Sequence, residues 1–254
     1  MIKVNKLKIA PSTLSSILKR GIIETKKNCD SYDIDPILFS DANAYVIKSS
    51  IYNAPKVKST LKTIQKNKCC FCEKKHDDEY GAVEHFRPKL GYQLIRGDAL
   101  IRPGYYWQGY SWENLFYVCT PCNTAKGNIF PLKNEANRSI NHKCTTKEDS
   151  LLLNPAGKLN PRKHIKFVDE VPYGISDYGI KTIEVCELDR YGLNQARKIH
   201  LLQIKVRIAA IIRDIDPIAV KEAKKYLRSS IKNDAQFSAM VIDFINLNCP
   251  MLIK

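Results

Sequence analysis

No stretch of the 254-residue chain approaches the roughly 20 apolar residues that a membrane-spanning helix needs. The opening MIKVNKLKIAPS lacks the apolar run of a secretory signal. Internal repeats and low-complexity tracts are absent as well. The nine cysteines are an odd number, which no closed set of disulfides uses up; Cys29, Cys70, Cys144, Cys186 and Cys249 are scattered, and the other four form two close pairs. With no export signal, these features lead us to expect a reduced, cytoplasmic protein without a membrane segment. Acidic residues are scarce relative to basic ones, 26 against 41, which leaves a formal charge of +15. That imbalance points to a polyanionic partner, nucleic acid first and an anionic membrane surface second. Hydrophobic residues make up 44% of the chain, enough for a true core, so disorder is not the expectation.

The hydrophobic periodicity divides the chain into three parts. Residues 1–66 read as a helical N-terminal region. Pro11-Ser12-Thr13 starts one helix with Leu14, Ile17 and Leu18 on a face, and Ala54-Pro55 starts another carrying Val57, Leu61 and Ile64. Lys56, Lys58, Lys62, Lys66 and Lys68 give the latter a charged side, either solvated or turned toward phosphates. Residues 67–135 form the central region, with short strands at 81–86 and 115–118 and a helix opening near Asn123 after Pro121. Residues 136–254 are mixed, then helical. LLLNP and HIKFVDEVPYG read as strand or extended segments, and helices follow from Leu188 onward. Leu201, Ile204, Ile208, Ile211 and Ile215 make one apolar stripe, Asp216-Pro217 begins the next helix, and Phe237, Met240, Val241, Phe244 and Leu247 line the last.

The chemistry concentrates in the central region. Cys69 and Cys72 form one Cys-x-x-Cys pair, and Cys119 and Cys122 form a second. Four thiolates in two pairs suit a tetrahedral Zn2+, and a shell closed by four sulfurs makes that zinc structural. Residues 73–118 separate the pairs, too many for a compact ribbon, so this stretch must hold structure of its own. Between the pairs lie Glu84 and His85. Histidine is the side chain suited to take a proton near neutral pH. Glu84 and Asn123 offer the hard oxygens that Mg2+ accepts. Adjacent strand residues point to opposite faces, so the two can share a site only where the strand ends or bends, and Pro88 favours an early end.

These residues resemble the HNH endonucleases, in the pattern Glu84-His85, Asn114, then CTPCNTAKG at 119–127. The resemblance implies an α+β fold, a ββα-metal finger embedded in a mostly helical domain. It also implies cleavage of DNA to a 5′-phosphate and a 3′-hydroxyl, with His85 as general base. Asn114 is then the residue that holds the loop against the finger, and Asn123, with Glu84, is a ligand of a catalytic Mg2+ or Mn2+. Glu84 stands where Asp is usual. CCFCE, VEHFRPK, YYWQGYSWENL, GNIFPL and LLLNP are similar more narrowly to the HNH nuclease subunit of Septu-type anti-phage systems, a PtuB-like family also found as a retron effector. That likeness spans about Cys69 to His164, and it implies a PtuA-like ATPase as partner.

Arg87 and Lys89, beside His85, and Lys126, in the short helix, are candidate phosphate contacts. Tyr105, Tyr106, Trp107, Tyr110 and Trp112 either pack the finger against the helices or stack on unpaired bases, with core packing preferred. His142 and Cys144 read as incidental and His164 and His200 as structural, while His76 is expected in an exposed loop. A zinc-stabilised nucleic-acid-binding or adaptor module without catalysis is the alternative to a nuclease. It shares the thiolates and the charge but needs no Glu84, His85 and Asn123 together.

Overall fold

The computed structural model describes residues 1–7, 10–41, 45–75, 81–214 and 216–252. Ile215 and His76, singled out above, lie outside the described residues. Helices α1 (Ser15–Ile34), α2 (Ser49–Tyr52) and α3 (Pro55–Ile64) precede strands β1 (Gly81–His85) and β2 (Leu115–Cys119), and helix α4 (Thr120–Lys126) follows them directly. A second strand pair, β3 (Ile165–Val168) and β4 (Val171–Gly174), leads into α5 (Asp177–Cys186), α6 (Tyr191–Arg213), α7 (Pro217–Ser230) and α8 (Ser238–Asn248). The fold is therefore mixed, with helices around two small antiparallel sheets.

Local chemistry sets these boundaries. Pro55 and Pro217 occupy first turns, where a missing N–H costs nothing, and the Asp216 side chain accepts from the Ile218 N–H. Ser176 caps α5 by accepting from the Gly179 N–H. Helix α4 stops after two turns at Gly127, whose φ of 48° suits a residue without Cβ.

In the first sheet, Gly81 faces Cys119 and His85 faces Leu115. Every residue of β2 is buried, because alternate side chains enter different cores. Phe116 and Val118 join the main cluster with Phe86, Phe130 and residues of α5, α6 and α8. Leu115 and Tyr117 join Leu14, Val57 and Leu61 on the side of α3. This explains why Leu115–Val118 is an uninterrupted apolar run. A third cluster packs Phe39, Tyr45, Ile47 and Ile51 against Tyr106 and Tyr110. Helix α1 approaches this loop so closely that a Cβ on Gly21 would meet Tyr110 Cβ at 2.8 Å.

Several expectations are corrected. Helix begins at Asp177, before Leu188, because Ser176 supplies a cap. LLLNP forms no strand, and Ser150 just ahead of it makes a single bridge to Leu132. Lys68 leaves the charged side of α3: it is buried, donates to the Ala235 carbonyl at 3.1 Å and lies 3.5 Å from Glu73. Leu247 is 70% exposed, outside the buried face of α8. The aromatic run, by contrast, packs as expected: Tyr105, Tyr106, Tyr110 and Trp112 are core residues, and Trp107 is half-buried.

Candidate metal centre and active site

The turn after α3 presents Cys69 and Cys72, the end of β2 presents Cys119, and the first turn of α4 presents Cys122. The Cys70 N–H donates to the Tyr117 carbonyl at 3.2 Å and so fastens the turn to the hairpin. The four Sγ atoms lie within 4.8 Å of one another, and all four residues are buried. A tetrahedron with zinc–sulfur bonds of 2.3 Å has sulfur edges of about 3.8 Å. Cys72 and Cys119 stand 3.8 Å apart. Burial raises the Cys69 thiol above its ordinary range, and the neighbouring sulfurs raise Cys122. Four thiolates can share this dry space only around a cation, so the donor set fits a metal such as zinc. Arg190 Nη1 donates to Cys122 Sγ at 3.4 Å, a supporting contact to the set from just before α6.

The other end of β1 carries Glu84 and His85. The Phe86 N–H still bonds the Asn114 carbonyl in register, at 2.9 Å, and the strand stops after it, where the Arg87 N–H turns to the Asn114 side chain. His85 is buried, with Tyr52 set edge-on at 4.6 Å between centroids. Its Nε2 lies 2.8 Å from the Gly109 carbonyl. A carbonyl only accepts, so Nε2 carries the proton and Nδ1 keeps a lone pair. Burial, together with the Lys89 and Lys126 charges, pushes the imidazole pKa down to about 3, and the ring is neutral at physiological pH. Burial likewise lowers Lys89, whose Nζ sits 4.7 Å from the Tyr52 ring centre.

Lys126 is fully buried. From the last turn of α4 its Nζ donates to Glu84 Oε1 at 2.6 Å and to the His85 carbonyl at 3.1 Å. The charge of Lys126 thus acts on both Glu84 and His85, as does that of Lys89. Asn123 is half-buried on the same helix, one residue after Cys122 and three before Lys126, a spacing that puts both on one side. Asn114 is buried and fully engaged. Its Oδ1 accepts from the Arg87 N–H at 2.7 Å, and its Nδ2 donates to the Arg87 and Gln108 carbonyls at 3.0 and 3.2 Å. The Arg87 side chain diverges from the Lys89 and Lys126 amines: Nε donates to Glu148 at 2.9 Å, and the guanidinium lies against the Tyr105 and Phe130 rings.

The structure therefore gathers Glu84, His85, Lys89 and Lys126, sets Asn123 on the adjoining helix and makes Asn114 a strut between loops. His142 bonds Tyr106 and His164 bonds Ser176, both away from the thiolates. Tyr52, the Gly109 carbonyl, Glu148 and Arg190 were missed by sequence reasoning. Each meets its partner across a long stretch of chain, with no short-range spacing to mark it.

No protein-family model matches the chain, and no solved structure matches it. Among curated proteins it is 30% identical over 210 residues to the Septu protein PtuB of Bacillus mycoides (strain KBAB4), covering 77% of this chain and 70% of that one. It is 27% identical over 144 residues to the Septu protein PtuB of Bacillus thuringiensis, covering 56% of this chain and 44% of the other. The Septu protein PtuA of Bacillus mycoides (strain KBAB4) is 23% identical over 185 residues, 72% of this chain but 25% of that protein.

Proposed function

Because the chain belongs to the Septu PtuB family, we propose that it acts in anti-phage defence as a metal-dependent HNH endonuclease, hydrolysing phosphodiester bonds of nucleic acid, DNA in the first place. The observation that carries this reading is the bond from His85 Nε2 to the Gly109 carbonyl. It fixes the tautomer and leaves Nδ1 to take a proton from an attacking water, and the low pKa keeps that atom unprotonated at physiological pH. Asn114 positions the loop that supplies Gly109, because it ties Gln108 to Arg87. Lys89 is the contact for the reacting phosphate, and Arg87, whose side chain diverges from it, is the contact for a flanking one. Lys126 contributes positive potential from beneath Glu84.

Glu84 and Asn123 would hold the Mg2+ or Mn2+ ion. The carboxylate keeps Oε2 outside its bond to Lys126, and the amide adds a second hard oxygen. Such an ion supplies charge neutralisation at the phosphate and the leaving oxygen. The four cysteines would hold a structural Zn2+ that locks α4 to β2. The likeness to a segment of PtuA, a protein of which it spans 25%, favours work beside a PtuA-like ATPase. No helix among the described residues is long and apolar enough to cross a membrane.

The test is cleavage of plasmid DNA and total RNA with Mg2+ or Mn2+, by the chain alone and with its co-encoded ATPase. Cutting that EDTA abolishes, in either setting, is the expected result. One observation favours a second reading, a silent zinc-stabilised adaptor: the buried ammonium of Lys126 already sits on the carboxylate that a metal would need. Binding of nucleic acid with no cutting in either setting would select it.

A further inference from the structure

Outside the Glu84–His85 site, a strongly charged concavity lies on the far side of Arg87. A cavity of about 550 Å3 is lined by Lys3, Lys6, Arg87 and Lys158, with Glu113 as its acidic member. Segments 3–7, 107–114 and 154–158 enclose it, so Trp107 and the strut Asn114 are part of its lining. Arg87 and Lys6 are held in place. Arg87 is fixed by Glu148 and by the Tyr105 and Phe130 rings. Lys6 donates to the Trp112 and Leu115 carbonyls, with its ammonium 4.5 Å from the Trp112 ring centre and 4.4 Å from that of Phe116. Burial brings the Lys6 pKa down to about 7, so an arriving anion would favour its charged form. Past Arg87 and Lys158 the space continues into a second cavity of about 670 Å3, where Lys147 adds another cation. The carboxylates there are engaged, Glu148 by Arg87, the Tyr105 hydroxyl and the Ser139 N–H, and Asp149 by the Tyr178 hydroxyl.

We propose that this groove holds a short unpaired stretch of the nucleic-acid strand next to the scissile bond, with phosphates on Lys3, Arg87 and Lys158 and a base against the Trp107 ring. The proposal rests on the nuclease reading for its link to cleavage. Arg87 is two residues beyond His85, at most about 7 Å along the backbone, and its side chain points away from the Lys89 and Lys126 amines, so a phosphate on Arg87 belongs to the strand flanking the scissile bond. Three enclosing segments admit one strand, and an aromatic ring in the wall stacks on any base, whereas a duplex presents its phosphates to an open surface.

The test measures anisotropy of short labelled single-stranded DNA, single-stranded RNA and duplex DNA in EDTA, so that cleavage plays no part. It compares wild type with the Lys3→Glu/Lys158→Glu double variant. Both lysines are exposed, so the fold should survive the change. Single-strand affinity is expected to fall about tenfold or more. The slope of log K against log salt should drop by about 1.4, at roughly 0.7 for each phosphate contact removed. Duplex affinity should change much less. Single-strand binding equal to wild type, or an equal loss on duplex, would overturn the proposal. Whichever single strand binds more tightly identifies the nucleic acid. His85→Ala separates the two claims. If that variant cut like wild type while the double variant lost single strands, the base assignment would fail and the groove would stand.

Discussion

At the scale of single residues, the site depends on a few buried polar groups that are fully satisfied. Asn114 makes three side-chain hydrogen bonds with backbone groups of Arg87 and Gln108. Asn114→Ala leaves those groups unpaired, at a cost of about 2–3 kcal/mol. We expect a matching drop in melting temperature and a loss of cleavage larger than the loss of nucleic-acid binding, because the loop carrying the Gly109 carbonyl is no longer held. Full activity in a correctly folded variant would count against the strut. His200 shows the opposite condition. Its Nε2 is buried without a partner, its ring stands edge-on to Phe237, and burial lowers its pKa. The unfolded chain therefore binds the extra proton first: this contribution is complete above pH 6.5 and is lost as the pH falls below it. His200→Leu should raise the melting temperature more at pH 5 than at pH 8, and an equal change at both would refute the assignment. The grouping of the four cysteines, and of Glu84 with His85, could be read from the chain because it follows from residue type and short spacing. Tyr52 and Gly109 could not, since only the path of the chain brings them to His85. Lys126 reads from the chain as a phosphate contact, and only with β1 beside α4 is its amine seen to be buried on Glu84.

Among the elements, the antiparallel pair β1–β2 with α4 behind it connects the four cysteines to Glu84 and His85. Cys119 ends β2 and Cys122 opens α4, while Glu84 and His85 lie at the far end of β1. Helix α4 is only seven residues long and has little stability of its own. A metal on Cys119 and Cys122 would fix its start, and Lys126 fixes its end. Cys122→Ser should remove one zinc per chain and abolish cooperative melting of the hairpin rather than slow cleavage selectively. Metal analysis with thermal denaturation checks this, and a folded, zinc-free variant would contradict it. The two strands were legible as short segments at 81–86 and 115–118, and their pairing was implied only by the resemblance to a ββα-metal finger. The boundaries of α5 were not, because its start depends on the Ser176 cap and on packing against β4, not on a long apolar stripe.

For the whole molecule, the formal charge of +15 gives a general attraction to polyanions, and the structure concentrates part of it along the groove of Lys3, Lys6, Arg87 and Lys158. That concentration was hidden in the sequence. Lys3 and Lys6 belong to a segment without motifs, and Lys158 is far from His85 in the chain, so only the folded backbone sets them in one concavity. The Septu relatives supply the defence setting, and the geometry around His85 supplies the proposed chemistry. The measurement that tests the account most directly compares wild type and His85→Ala for Mg2+- or Mn2+-dependent cutting of plasmid DNA and total RNA, with a PtuA-like ATPase present and nucleic-acid binding measured in parallel. The account predicts a fall in cutting of at least a hundredfold, the scale expected of a lost general base, with binding and melting unchanged. Cutting at the wild-type rate by a folded His85→Ala protein would contradict it.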